Sequence, residues 1–269
     1  MAVGATKMEE IPVSVQLYSV RGDARRDLRG LITKLARMGF TGVELEDDLY
    51  GQRPEVFRRI VEDAGMVISG VHVGLLGSDR PEQLLDRALR LGTRDLVVPL
   101  ISHRDFTRPD GVERAADGLN RALGLAQACD LRLGYHNHHW EFQRSGGASF
   151  LDQLFARLDA NVFAEVDVYW ARVGGADPAA VIRQLGPRVR FVHLKDGPAT
   201  SVEAPMCALG EGRIDLPAVL AAAQAAEWHV VEIDHTRGDM LEALRRSLAY
   251  LRARSATSAP EGEACSATE

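Results

Sequence analysis

The stretch at residues 135–142, with the sequence YHNHHWEF, places three histidines and one glutamate within six residues. A short, mostly apolar run at residues 131–134 precedes it and is typical of a strand. Imidazole nitrogens and carboxylate oxygens are common ligands of Mn²⁺, Mg²⁺, Co²⁺, Fe²⁺ and Zn²⁺. Because these side chains follow a run that reads as buried, the pattern favours a metal or catalytic site over a solvated surface.

Three later runs with strand character also end in residues that can bind metals, namely Asp167, His193 and Glu232. Side chains two apart in a strand point to the same face, so His136 and His138 share a face if the strand persists. We predict that His136, Asp167, His193 and Glu232 converge on one metal ion. The alternative is that each is a separately satisfied polar residue, and it is weaker for four strand ends than for one.

Strand and helix patterns alternate along the chain at intervals of roughly 30 residues, giving about eight β-α units. Glycines such as Gly39, Gly65 and Gly92 mark helix ends, and Asp177 followed by Pro178 marks a helix start. Strict alternation predicts a parallel sheet covered by helices. Eight units predict an α/β fold with a single closed (β/α)8 TIM barrel, whose active site lies at the C-terminal strand ends. A doubly wound open sheet is the alternative, but no GxGxxG motif follows the first strand.

The predicted barrel occupies residues 11–254, without an internal domain boundary. Residues 1–10 and 255–269 are predicted to be flexible termini, since the second segment consists mainly of serine, alanine, threonine and glutamate. The hydrophobic content of 46% and the charged content of 26% are ordinary for a globular protein.

Charge and cysteine usage limit the expected partners and compartment. A net charge of -6 argues against a nucleic-acid partner, which requires a basic face. Cys129, Cys207 and Cys265 form no CxxC pair, which argues against a disulfide framework and a thiolate zinc site. The first ten residues lack the apolar core of a signal peptide, and no segment reaches the ~20 apolar residues that span a membrane. We therefore expect a cytoplasmic protein without a membrane partner, and we leave homo-oligomerisation open.

Several polar or aromatic side chains are predicted to reach the same end of the barrel and to contact a substrate. These candidates are Gln16, Tyr18, Glu44, Glu46, His72, Trp170, Lys195 and Arg213. Trp170 is suited to stack on a sugar face or to pack at the barrel mouth. Arg213 ends a long loop and is a candidate anion clamp, because long loops in compact domains are usually functional or mobile. Glu46 is equally consistent with a solvated loop acid, since two further acids follow it.

These residues belong to motifs that resemble those of the xylose isomerase-like TIM-barrel superfamily. Within it the chain resembles the sugar phosphate isomerases/epimerases, and it is also similar to the inosose dehydratases. The motifs run from the first strand to the loop before the seventh helix and are QLYSVR at 16–21, MGFTGVE at 38–44, YHNHHWEF at 135–142, DVYW at 167–170, GGADP at 174–178, HLKDG at 193–197 and LGEGRID at 209–215.

The resemblance implies one divalent metal ion held by a glutamate, an aspartate, a histidine and a glutamate on strands five to eight. Asp167, His193 and Glu232 match the last three positions, whereas His136 stands where the family has the first glutamate. Glu141 lies just past this strand and is a candidate replacement ligand. Mn²⁺ is the first expectation, with Co²⁺, Mg²⁺, Fe²⁺ and Zn²⁺ as alternatives.

The resemblance also implies a sugar or polyol substrate and proton abstraction beside a carbonyl, with Glu232, His138 or Glu141 as the base. The first expectation is an isomerase/epimerase acting on a keto-sugar, a ketose or a related polyol. The alternative is a dehydratase or lyase of the inosose or 3-keto-glycoside type, because of the histidines on strand five. Two more distant alternatives are a non-catalytic sugar-binding barrel and an AP endonuclease, and the acidic net charge argues against the latter.

Overall fold

Eight short runs rich in β-branched and other apolar residues form the strands of the computed structural model, which describes residues 11–257. Each strand pairs in parallel with its neighbours in the chain, and the last pairs with the first, so that the sheet closes. The predicted (β/α)8 barrel is confirmed. Its strands are β1 (Val13–Gln16), β2 (Gly42–Leu45), β3 (Val67–His72), β4 (Asp95–Val98), β5 (Arg132–His136), β6 (Phe163–Asp167), β7 (Val189–Leu194) and β8 (Trp228–Val231).

Helices follow the strands and surround the barrel. The main helices are α1 (Arg21–Met38), α2 (Pro54–Asp63), α3 (Pro81–Leu91), α4 (Gly111–Gln127), α5 (Phe150–Phe155), α6 (Pro178–Leu185), α7 (Leu216–Ala222) and α8 (Met240–Thr257). Two shorter helices, His103–Phe106 and Val168–Val173, follow β4 and β6. Proline in the first turn of α2, α3, α6 and α7 suits the fixed φ of that position. Gly39 and Gly92 end α1 and α3 with φ of 106° and 78°, which favours glycine at both positions.

Apolar side chains fill the lower part of the barrel interior and carry a polar layer above them. Val97, Phe163, Phe191 and Val230 form this inner apolar cluster, in which the two phenylalanine rings lie 5.5 Å apart. Gly134 leaves the space that the Phe163 ring occupies. Inward-facing positions recur every second residue along a strand. The charged residues at the C-terminal strand ends therefore lie directly above this apolar cluster.

Two strands end early at the rim of the barrel. β1 ends at Gln16, because the chain turns at once into a 3₁₀ helix over Leu17–Val20. β8 ends at Val231, so Glu232 lies just past the strand, with its backbone N–H bonded to the carbonyl of Leu194 at 3.2 Å. The candidate site residues therefore lie both at the last positions of the strands, as Asp167 does, and just beyond them, as Glu232 does.

The predicted flexible ends at 1–10 and 255–269 lie outside the described residues, except for 255–257, which belong to α8. Within residues 11–257, none of the helices has the length and apolar character needed to cross a bilayer.

Candidate metal centre

The four side chains predicted as metal ligands from strands β5 to β8 meet at the C-terminal end of the barrel. Ligand atoms of Asp167, His193 and Glu232 lie within 4.8 Å of one another. His193 Nδ1 is 2.8 Å from Glu232 Oε2, and His136 Nε2 is 3.7 Å from Asp167 Oδ2. All four residues are buried. We call His136, Asp167, His193 and Glu232 the outer set.

A second group of buried polar residues, Glu44, His72 and Glu165, lies against the outer set, and we call it the inner layer. Glu165 Oε2 is 2.8 Å from both His72 Nε2 and His136 Nδ1. Glu44 Oε2 is 2.6 Å from His193 Nε2. Both histidines of the outer set therefore contact a carboxylate of the inner layer through one ring nitrogen and face the outer carboxylates with the other.

Lys195 is the lysine that neutralises part of this negative charge. Its Nζ lies 3.0 Å from Asp167 Oδ2, 2.7 Å from Glu232 Oε2 and 2.9 Å from Asp234 Oδ1. Burial acts to lower the pKa of Lys195, but the three carboxylates together hold this pKa well above its usual value. The lysine was predicted to bind substrate, and the structure instead engages it fully with carboxylates of the site.

Contacts within the cluster shift the pKa values of residues in both the inner layer and the outer set. Burial opposes charge on His72, yet Glu165 and Glu44 raise the pKa of His72 to about 10. Burial also acts to raise the pKa of Glu232, but Lys195 and His193 bring it well below the usual value. Both groups are therefore charged near neutral pH, as members of one tightly coupled cluster.

These residues fit a bound divalent cation. Five buried or half-buried carboxylates contact the cluster, and within residues 11–257 Lys195 is the sole lysine or arginine that forms an ion pair with them. Asp167 Oδ2 is buried and finds no hydrogen-bond partner in the described part of the chain, since the Lys195 contact lacks hydrogen-bond geometry. Uncompensated buried charge is unfavourable, so a cation between the nitrogen and oxygen donors of the outer set would stabilise it.

Comparison with known proteins agrees with this geometry. The sequence model of the family described as xylose isomerase-like TIM barrel matches residues 32–254. The chain belongs to this family.

The chain is 26% identical to inosose dehydratase from Geobacillus kaustophilus over 192 residues, which cover 62% of this chain and 61% of that protein. It is 27% identical to 3-dehydroshikimate dehydratase from Pseudomonas aeruginosa over 212 residues, which cover 71% of this chain but 33% of that protein. A crystal structure of a sugar phosphate isomerase/epimerase from Parabacteroides distasonis superimposes with a TM-score of 0.76 at 23% identity, covering 94% of this chain and 96% of the other. At that identity the superposition supports the fold alone.

The imidazole of His138 lies beside the outer set and has a ring nitrogen that can accept a proton. Its ring stacks on Trp140 at 4.6 Å and lies 5.2 Å from the ring of His136. Its Nδ1 is buried and has no hydrogen-bond partner among the residues described. Burial, together with the neighbouring His136 and Lys195, holds the pKa of His138 well below its usual value. The ring is therefore neutral at pH 7, as a general base requires.

Glu141, predicted as a replacement metal ligand or base, is placed elsewhere. It is fully buried, accepts a hydrogen bond of 2.6 Å from the Tyr135 hydroxyl and accepts one of 3.1 Å from the backbone N–H of His138. Tyr135 and His136 point to opposite faces of β5, so Glu141 packs behind the strand. Burial raises the pKa of Glu141 to about 7. The metal-ligand role does not fit this placement, and the residue instead fixes the loop that carries His138.

Two predicted substrate contacts, Gln16 and Glu44, are inaccessible to a substrate. Their side chains are at most 1% exposed, and Gln16 Nε2 donates to Glu44 Oε2 at 2.9 Å. His72 belongs to the inner layer and is likewise buried. The sequence prediction puts these residues at the correct end of the barrel, but they lie one layer deeper than a substrate contact would.

The remaining predicted contacts surround the mouth of the barrel. Trp170 is 7% exposed and lies 5.4 Å from the Lys195 ammonium, and the Arg21 guanidinium covers the half-buried Tyr18 ring at 3.8 Å. Glu46 is half-buried, and burial raises its pKa. Trp170, Tyr18 and Glu46 keep their predicted role as candidate contacts.

Arg213 is exposed and lines a cavity of about 660 Å³ between the loops that follow β7 and β8. None of the outer set lines this cavity, so it lies beside the metal centre. The loop that forms one wall is held by Asp196, whose carboxylate accepts backbone N–H bonds from Gly197, Gly210, Gly212 and Ile214.

Sequence reasoning missed three residues that organise the centre, namely Glu165, Asp234 and Asn137. Glu165 lies two positions before Asp167 on the same face of β6, and Asp234 lies two positions after Glu232, just past the end of β8; this spacing is the signal that marks them. Asn137 exchanges hydrogen bonds of 3.0 and 3.2 Å with the backbone of Asp167, and this exchange fixes the height of that ligand. No comparable signal in the sequence marks Asn137.

Proposed function

We propose that the chain is a divalent-metal-dependent lyase that removes water from a cyclic keto-polyol, starting with proton abstraction beside the carbonyl. The observation that carries the proposal is a single imidazole, His138, which lies beside His136 with Nδ1 unpaired in the described chain, while Glu232, the other candidate base, is engaged by Lys195 and His193. The names of the two curated relatives, both dehydratases, agree with this reaction class. Dehydration therefore takes precedence over the isomerase/epimerase expected from the sequence.

His136, Asp167, His193 and Glu232 would hold the metal ion, which would polarise a carbonyl and so acidify the neighbouring C–H bond. His138 takes that proton. The C–O bond on the next carbon then breaks, and the imidazolium returns the proton to the departing oxygen, which leaves as water. One base thus serves both halves of the elimination.

Epimerisation makes a different demand, because it requires an acid and a base on opposite faces of the substrate. Glu232 is the other candidate base, but its carboxylate binds Lys195 at 2.7 Å and His193 at 2.8 Å, which hold its pKa well below the usual value. Both contacts occupy the same oxygen of Glu232, whereas His138 Nδ1 has no hydrogen-bond partner among the residues described. The arrangement favours chemistry with one base, and elimination is such a reaction.

The test is an assay of the Mn²⁺- or Co²⁺-loaded protein with an inosose, with 3-dehydroshikimate and with simple ketoses in D2O. Elimination is followed by the ultraviolet absorption of the conjugated product, and exchange by deuterium incorporation. We expect His138→Gln to lower kcat by about 10²–10⁴-fold with unchanged metal content. His139→Gln is the matched control, because the charged groups that influence His139 are His103 and Glu203 rather than the outer set.

The other outcomes separate the alternatives. Deuterium incorporation with inversion and without loss of water would identify an epimerase and overturn the lyase proposal. Tight metal and sugar binding without turnover would identify a binding barrel. Full activity after exhaustive chelation would remove the metal from the mechanism.

A further inference from the structure

A chain of hydrogen bonds leads from a backbone amide to a histidine of the outer set, and its direction is fixed at its start. The backbone N–H of Tyr18 donates to Gln16 Oε1 at 3.3 Å. A backbone N–H can only donate, so this contact turns the oxygen of the Gln16 amide towards Tyr18 and its NH2 group towards Glu44. Gln16 Nε2 then donates to Glu44 Oε2 at 2.9 Å.

The same oxygen of Glu44 lies 2.6 Å from His193 Nε2. A carboxylate oxygen only accepts hydrogen bonds, so His193 Nε2 is the donor and carries a hydrogen. Nδ1 faces Glu232 Oε2 at 2.8 Å, and since Glu232 belongs to the outer set, a bound metal ion would take the place of a hydrogen on Nδ1. Glu165 Oε1 also lies 3.3 Å from His193 Nε2, but it makes no hydrogen bond within residues 11–257, so Glu44 decides the orientation.

His136 shows the opposite choice of nitrogen. Its Nδ1 lies 2.8 Å from Glu165 Oε2, which is also 2.8 Å from His72 Nε2. With Nδ1 as the donor to a carboxylate, Nε2 is left facing Asp167 Oδ2 at 3.7 Å. Glu165 is fully buried, so water does not compete for this hydrogen bond.

A second metal ion in the inner layer is the rival interpretation, since ligand atoms of His72, His136, Glu165 and His193 lie within 4.8 Å of one another. The contacts of the inner layer argue against it. Three of them pair a ring nitrogen with a carboxylate oxygen at 2.6–2.8 Å, whereas ligands of one tetrahedral ion stand about 3.3 Å apart. The outer set has one such contact, between His193 and Glu232 at 2.8 Å, and His136 Nε2 stands 3.7 Å from Asp167 Oδ2. An alternation of donors and acceptors is the pattern of a hydrogen-bonded network.

We propose that Glu44, oriented by Gln16, and Glu165 are positioning residues that determine which ring nitrogen each histidine offers to the metal. His193 offers Nδ1 and His136 offers Nε2. The inference rests on the metal dependence in the proposed function and is independent of the reaction catalysed. Carboxylates that hold the second nitrogen of a metal-bound imidazole typically change metal affinity by 10–100-fold.

The direct test is long-range ¹H–¹⁵N correlation spectroscopy of Zn²⁺-loaded protein labelled with ¹⁵N-histidine, which identifies the protonated nitrogen of each ring. The signals are assigned with His136→Asn and His193→Asn. We expect a hydrogen on Nε2 of His193 and on Nδ1 of His136. The reverse assignment for either ring would overturn its half of the proposal, and this measurement requires no variant in the inner layer.

Variants of Glu44 separate the hydrogen bond from simple packing. Glu44→Leu removes the acceptor, and we expect it to weaken Zn²⁺ and Co²⁺ binding by about 10–100-fold and to alter the Co²⁺ absorption spectrum. Glu44→Gln keeps an acceptor oxygen, and we expect a loss of about fivefold or less with an unchanged spectrum. Asp95→Asn, a buried acid at the opposite end of the barrel, is the matched control and should leave affinity and spectrum unchanged.

The clearest test compares the effect of each carboxylate variant on both histidine rings. Glu44→Leu should disturb the ring signals of His193 and spare those of His136, and Glu165→Leu should disturb those of His136. Equal affinity of Glu44→Leu and the wild type would overturn the positioning role while leaving the metal site intact. A wild-type protein that takes up no Zn²⁺, Co²⁺ or Mn²⁺ would overturn the proposed function and this inference together.

Discussion

The two ends of the barrel both bury charged residues, but they balance them differently. At the N-terminal end, Arg132 binds Asp95 through two hydrogen bonds of 2.6 and 2.5 Å and also contacts Glu227 at 3.0 Å. Arg190 forms an ion pair with the same glutamate. Two acids thus face two arginines, and the planar guanidinium groups satisfy the carboxylate oxygens in pairs.

At the C-terminal end the negative charges exceed the positive ones. Glu44, Glu165, Asp167, Glu232 and Asp234 cluster around histidines, and Lys195 alone among the lysines and arginines of the described chain pairs with them. Barrels generally keep stabilising contacts at the N-terminal face and functional groups at the C-terminal face. Imbalance of charge, rather than burial of charge as such, distinguishes the end that is proposed to hold a cation.

The largest expected effect comes from removing a ligand at the unbalanced end. Asp167→Asn should abolish metal retention and lower activity by at least about 10³-fold, because the ion loses a charged ligand. Its melting temperature without metal should stay the same or rise, since repulsion between carboxylates is relieved. Metal analysis and thermal unfolding measure both quantities. A variant that retains full metal would contradict the proposed ligand set.

Chelation should reveal the same imbalance through stability. With metal at 1,000 times its Kd, the folded wild type gains about 4 kcal/mol over the metal-free protein. We expect thermal unfolding of wild type to shift strongly with Mn²⁺ or Co²⁺, and that of Asp167→Asn to respond little. Equal shifts in both proteins would place the metal elsewhere.

A buried histidine at the balanced end should make stability depend on pH. His229, near the N-terminal end of β8, is 8% exposed, and burial lowers its pKa to about 4. The unfolded chain takes up a proton near pH 6.5 while folded His229 does not, so stability is complete above pH 6.5 and falls as the pH drops towards 4. The loss at this residue reaches about 3 kcal/mol. Urea unfolding of His229→Leu should show a flatter profile in that range, and an unchanged slope would refute the assignment.

The smallest effect is expected at the balanced end. Arg132→Met leaves Asp95 buried without its partner, and it should destabilise the protein by about 2 kcal/mol, below the usual value for a buried pair because Arg132 is 33% exposed. Metal content and Co²⁺ spectrum should stay at wild-type values. Loss of metal from this variant would mean that the two ends are coupled, and the comparison would fail.

The sequence alone determined the barrel and most of the outer set. Runs of alternating strand and helix character specify eight β-α units, and parallel strands bring their C-terminal ends to one rim. Asp167, His193 and Glu232 could be predicted because a period of two assigns each to an inward face. His136 could be predicted for the same reason, as the last residue of β5.

Only the tertiary structure decided which of these groups touch. Glu44 and His193 are 149 positions apart, and the closure of the barrel with its register brings their atoms to 2.6 Å. A sequence period gives the face of a residue but neither its height nor its neighbour across the barrel. For that reason the sequence placed Gln16 and Glu44 in the site but did not show that they lie in or against its inner layer. It likewise placed Glu141 in its loop but did not identify Tyr135 as its hydrogen-bond partner. The protonation and role of a buried polar group depend on such neighbours, since little water is present to solvate it.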